Sequence, residues 1–106
     1  MVKVNIVYQG KGLASIDIKG HANSGPYGKD LVCAAVSAIA IGSLNALDDG
    51  AENFDIDMSE EGHIHIEAKS PISEHDQTVL ETMIIQLKTI EQSPKTRGTI
   101  EIKERN

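Results

Sequence analysis

Cys33 is the only thiol of the chain, in the run Gly28-Lys29-Asp30-Leu31-Val32-Cys33-Ala34-Ala35-Val36-Ser37. Upstream of it stands His21, in Gly20-His21-Ala22. Between them lies a stretch of glycine and small residues. A thiol and an imidazole flanking a loop are the two groups that cysteine nucleophile chemistry requires. The thiolate attacks, and the imidazole takes and returns the proton. Whether these residues do that chemistry depends on the elements that carry them.

Val2, Val4, Ile6 and Tyr8 alternate with polar positions, the period of a half-buried strand. Gln9-Gly10-Lys11-Gly12 reads as a hairpin turn. Ala14, Ile16 and Ile18 then form one face of a second strand, with Ser15, Asp17 and Lys19 on the other. Gly20 breaks the alternation and puts His21 at or just past the strand end. Residues 22–29 form a loop, in which Gly25 and Gly28 supply the backbone freedom a substrate-gating segment uses.

Asp30 has the position of a helix N-cap, able to accept from the amides of Val32 or Cys33. The helix runs from Leu31 to Leu47 and is apolar on nearly every face as far as Ile41, the pattern of a buried helix. Asp48-Asp49-Gly50 stops it, with Gly50 suited to the left-handed C-terminal position. Phe54, Ile56 and Met58 form a third strand, Ser59-Glu60-Glu61-Gly62 a turn, and Ile64, Ile66 and Ala68 a fourth strand. Ser73 caps a second helix, with Asp76 as its capping-box-like partner. Leu80, Met83, Ile84, Leu87 and Ile90 make its apolar stripe, and Ser93-Pro94 ends it. Ile100 and Ile102 mark a last strand. The order β-β-α-β-β-α-β predicts an α+β fold, a mostly antiparallel sheet with two helices on one face.

A chain of 106 residues is expected to be a single domain, residues 1–106. Without Trp, and with one Phe and two Tyr, its core must be aliphatic. A net charge of -6 argues against general nucleic-acid binding, which needs clustered Lys and Arg, and suits a basic partner or peptide substrate. One Cys rules out an internal disulfide and a multi-thiolate metal site. No signal-peptide core or membrane-length apolar run is visible, so a cytoplasmic protein is expected.

As the third helical residue, Cys33 sits at the positive end of the helix dipole, which favours a thiolate. Its amide is among the unpaired N–H groups of the first turn, a natural oxyanion donor. Asp30 opposes the thiolate, because a carboxylate disfavours a second anion beside it. The same Cys also fits a small buried hydrophobe without chemistry. Ser37, one turn on, shares its face and can bond near the thiol or back to the carbonyl of Cys33. A rival site lies at His63, His65 and Glu67, on one strand face with metal-ligand character, where a solvated surface is the alternative. His75 is expected to be exposed.

Taken together, Gly20-His21-Ala22, Gly28 and Asp30 to Ser37 resemble the signature of the ribosomal-processing cysteine protease family, Prp. The resemblance covers the whole chain in length and element order, and its specific part is residues 20–37. It implies an endopeptidase that removes the N-terminal extension of large-subunit ribosomal protein number twenty-seven, acting as an α+β homodimer without a cofactor. The catalytic dyad it implies is His21 and Cys33. Asp30 and Ser37 match supporting positions, and residues 22–29 match a loop that admits substrate. Exposed apolar positions such as Ile85 are candidates for the dimer surface. A non-enzymatic ribosome-associated binding or assembly factor, with an inert Cys33, is the alternative, since fold does not fix function.

Overall fold

The computed structural model describes residues 1–20, 30–48, 50–59, 62–69 and 71–106. Strands β1 (Val2–Gln9), β2 (Gly12–Lys19), β3 (Phe54–Met58), β4 (Ile64–Ala68) and β5 (Ile100–Arg105) form one sheet in the order β3-β4-β2-β1-β5. Every pairing is antiparallel except β1 with β5. Helices α1 (Leu31–Asn45) and α3 (Glu74–Gln92) are the two long helices, and a single turn, α2 (Gly50–Asn53), leads into β3. The expected α+β fold is the one observed.

The register explains the core. Val4 pairs with Ile18 and Ile6 with Ile16, and Ile18 and Ile16 pair in turn with Ile64 and Ile66. All of these side chains are buried. From α3, Leu80, Met83, Ile84 and Leu87 complete the core at helical spacing. Each fully buried aliphatic side chain contributes about 1.5–3 kcal/mol.

Four local expectations are corrected. The register of β2 shifts opposite Val7 and Tyr8, so that Val7 pairs with Ser15 and Tyr8 with Leu13. Ala14 is the extra residue of this bulge, and Leu13 rather than Ala14 joins Ile16 and Ile18 in the core. Helix α1 ends at Asn45 with Ala46 as its C-cap, and Gly50 begins α2 instead of terminating α1. Nor is α1 buried all round: only Val32, Val36 and Ala40 are, a stripe at four-residue spacing, while Leu31 is 80% and Ile41 43% exposed. Finally, Ser73 caps α3 by accepting from the Asp76 amide, but the buried Asp76 carboxylate turns to the amide of Asp48 instead of closing the box. That bond ties the end of α1 to the start of α3.

Candidate active site

Cys33 lies in the first turn of α1, at the end of the sheet where β2 finishes and β1 and β4 begin. Asp30 holds it at two points. One carboxylate oxygen, Oδ1, accepts the Cys33 amide at 3.0 Å, and the other, Oδ2, accepts the thiol at 3.3 Å. The first contact is the N-cap expected from sequence. The second is new and sets the thiol's direction. The Asp30 carbonyl also accepts the amide of Ala34 at 3.0 Å. The Cys33 amide, expected to be an unpaired oxyanion donor, is therefore engaged by the cap. A substrate oxyanion must displace Asp30 from it or draw on other donors.

Half-buried, Cys33 opens onto a pocket of about 90 Å³. Val2, Ile18 and Ile64 from three neighbouring strands and Val36 from α1 give it apolar walls, and Gly20, Gly62 and Ser37 complete the lining. Ser37 thus shares a pocket with Cys33, as its helical spacing implied. Gly20 is fixed by sterics: its φ is +97°, and a Cβ there would lie 2.5 Å from the Met1 carbonyl oxygen. This close approach seats the strand end from which the chain leaves toward position 21. His21, Gly25 and Gly28, with the rest of the 22–29 segment, lie outside the described residues. The wall residues Val2, Ile18 and Ile64 were legible in the sequence only as core positions, because nothing local reveals which core residues border a pocket.

The rival cluster has a different organisation. His63 Nε2 is 2.7 Å and His65 Nδ1 2.9 Å from a single oxygen, Asp17 Oδ1, while Glu67 is 3.6 Å from His65 Nε2. Both imidazoles are directed at one carboxylate across the β2–β4 pairing. The bond from His65 to Asp17 raises the pKa of His65 above its ordinary value, against a smaller opposing effect of burial, with Glu67 adding to the rise. Burial pushes the Asp17 carboxyl up, but the two histidine bonds together outweigh it and hold it below its usual range. Asp17 is the residue missed from sequence, since only the register brings it to His63 and His65.

His75 is exposed, as expected, and its Nε2 lies 3.0 Å from the carbonyl oxygen of Ala46, the α1 C-cap. That bond, with Asp48 nearby, raises its pKa. Asp48, His75 and Asp76 bring potential ligand atoms within 4.8 Å of one another. The buried member is already used in structure: Asp76 Oδ1 accepts the Asp48 amide at 2.9 Å. Among the described residues, no helix is long and apolar enough to cross a membrane.

Residues 1–97 match the family model described as cysteine protease Prp. The ribosomal processing cysteine protease Prp of Staphylococcus aureus is 37% identical over 95 residues, spanning 87% of this chain and 90% of its own. That of Bacillus subtilis is 36% identical over 92 residues, spanning 80% and 81%. Two solved structures of the S. aureus protease share the fold. One, carrying a covalently linked product peptide, superposes with a TM-score of 0.88 at 34% identity, over 98% of this chain and 99% of that one. The other, with a substrate peptide, gives 0.79 at 32% identity over the same shares.

Proposed function

The chain belongs to the cysteine protease Prp family, and from that membership we propose that it removes the N-terminal extension of large-subunit ribosomal protein number twenty-seven, a step needed for ribosome assembly. It is a cysteine protease. The observation that supports Cys33 as the nucleophile is the first-turn thiol, gripped by Asp30 and open to an apolar pocket. Capping the helix accounts for the amide bond to Asp30 but not for the thiol bond or the opening onto the pocket.

In the proposed mechanism, Cys33 is the nucleophile and His21 its partner. His21 takes the thiol proton, and the sulfur attacks the scissile carbonyl. The proton then passes from His21 to the leaving amine, and water hydrolyses the acyl-enzyme. Asp30 directs the thiol, and the bond from the Cys33 amide to Asp30 fixes the first turn around it. Because the S–H donates to a carboxylate, the proton must leave that contact before attack, which is the work assigned to His21. Ser37 lies at the pocket wall as a polar neighbour of the substrate, and Gly25 and Gly28 serve a gating loop between the two motifs. No cofactor or metal enters the scheme.

The proposal includes one catalytic domain over residues 1–106, acting in the cytoplasm as a homodimer on a ribosomal-protein peptide, with no direct role for nucleic acid or membrane. The exposed apolar residues Leu31, Ile41 and Ile85 are candidates for the dimer surface. The net charge of -6 favours a basic substrate through weak steering. The deciding experiment is incubation with a peptide spanning the junction between extension and mature ribosomal protein. Cleavage by wild type and none by Cys33→Ala or His21→Ala is expected. Equal cleavage by a folded Cys33→Ala protein would end the proposal.

A further inference from the structure

The two edges of the sheet are unlike. On β5, the outward N–H of Ile102 is taken by Glu91 Oε2 of α3 at 2.7 Å. On β3, four of the five residues are exposed. The backbone bonds from Lys69 N to Asn53 O and from Ser59 N to His63 O, both 2.9 Å, bracket the β3–β4 ladder. Asp55 pairs with Glu67 and Asp57 with His65 between them. Antiparallel pairs alternate between closely bonded and non-bonded, so the bonded ones fall on odd positions. The N–H and C=O groups of Ile56 and Met58 therefore point off the edge of the sheet, while the Phe54 N–H closes the α2 turn.

The side chains alternate as well. Ile56 and Met58 lie on the helix-bearing face, where they are 37% and 55% exposed. Asp55 and Asp57 stand on the opposite face, beside Glu67 and His65, with Lys69 3.7 Å from Asp55. The strand also points to the active site, since Met58 pairs with Ile64, a wall of the Cys33 pocket.

We infer that the β3 edge binds an extended peptide segment as an added strand, with Lys or Arg on one face against Asp55 and Asp57 and aliphatic residues on the other against Ile56 and Met58. The segment is the part of the substrate that flanks the scissile bond, so its identity rests on the proteolytic function proposed above. Main-chain bonds to the outward groups supply affinity, and the two alternating faces supply selectivity. A second copy fits poorly. Two-fold pairing of β3 with itself keeps like faces together, so any register overlapping most of the strand sets aspartate against aspartate.

The test uses peptides with one cleavage junction, that of the proposed ribosomal-protein substrate, and a short tail on either flank: alternating Lys-Val, alternating Glu-Val, or none. Wild type is expected to show a KM about five- to tenfold lower for a basic than for an acidic tail, with kcat unchanged. Asp55→Lys combined with Asp57→Lys should invert that order. Ile56→Pro deletes one outward N–H without touching the β3–β4 bonds, and should raise KM severalfold for the basic-tailed peptide only. Equal KM values for the two tails in wild type, or no inversion in the double variant, would overturn the site while leaving the protease standing. A changed sedimentation coefficient in the double variant with unchanged KM would give the edge to a second copy instead and also overturn it. Fluorescence anisotropy of the same peptides reads binding without hydrolysis. Tail-selective binding without cleavage would support the strand site and sink the assignment of that ribosomal-protein junction as the substrate.

Discussion

Asp30 grips Cys33 with both oxygens of one carboxylate, Oδ1 on the amide at 3.0 Å and Oδ2 on the thiol at 3.3 Å. A single side chain thus caps α1 and aims the sulfur. The two tasks respond differently to charge. Capping needs an acceptor, which Asn supplies as well as Asp. Keeping the proton on sulfur depends on the negative charge, because a thiolate beside a carboxylate is repelled. Asp30→Asn should therefore keep the stability of the fold within about 0.5 kcal/mol, while Asp30→Ala loses about 1 kcal/mol. Iodoacetamide at neutral pH should alkylate Cys33 in Asp30→Asn about tenfold faster than in wild type, a charge pair at this distance near the surface being worth about 1–4 kcal/mol. An unchanged alkylation rate would show that the carboxylate does not restrain the thiol.

Gly20 is expected to be irreplaceable. Any Cβ there meets the Met1 carbonyl oxygen at 2.5 Å, a backbone atom that cannot rotate away, and the φ of +97° is strained for an L side chain. Gly20→Ala should cost about 1–3 kcal/mol in urea denaturation. Because Gly20 lines the Cys33 pocket and precedes His21, peptide cleavage should fall beyond what the unfolded fraction explains. An Ala variant of wild-type stability would mean that the β1 start yields freely.

What was legible in the sequence was local. The Asp30 cap, the Ser73 cap and the alternation of β1, β3 and β4 each depend on neighbours a few residues apart, so residue type and spacing express them. The Asp30–Cys33 thiol contact depends on a rotamer, and spacing alone does not show it. Asp17 meets His63 and His65 only through the β2–β4 register, across separations of 46 and 48 residues. The Ala14 bulge shifts a face by one residue with no Gly or Pro to mark it. Helix α1 misled for a different reason. Apolar composition on every face says that burial is possible, not which face the sheet takes, and the stripe Val32, Val36 and Ala40 is set by packing.

The Asp17 cluster gives stability a pH signature. The raised pKa of His65 means its contribution is fully present below about pH 6.5, its unfolded value, and is lost as pH rises through the higher folded value. Asp17, with its lowered pKa, contributes above its unfolded value of 3.8 and loses that contribution as pH falls through the folded one. The cluster therefore stabilises most between about pH 4 and 6.5. The histidine side chains are more than a third exposed, so screening limits the whole effect to less than about 1 kcal/mol. Asp17→Asn should flatten the difference in melting temperature between pH 5.5 and pH 8.5. A wild-type protein no more stabilised than this variant at pH 5.5, relative to pH 8.5, would refute the coupling.

Glu91 is expected to protect the sheet as well as stabilise it. Its Oε2 occupies the outward N–H of Ile102 on an edge strand, and an edge with free donors is a template for pairing with other chains. In Glu91→Ala that N–H is released to solvent or to a neighbour. The bond joins a charged acceptor to a partly buried donor, so its loss should cost about 1 kcal/mol, read as a lower urea midpoint with an unchanged slope. Glu91→Gln retains an acceptor without charge and should fall between the two. The protective role predicts something stability alone does not: Glu91→Ala should associate at high concentration, by light scattering, faster than a variant equally destabilised inside the core, such as Ile84→Val on the buried face of α3. Equal association of the two variants would reduce Glu91 to an ordinary hydrogen bond between α3 and β5.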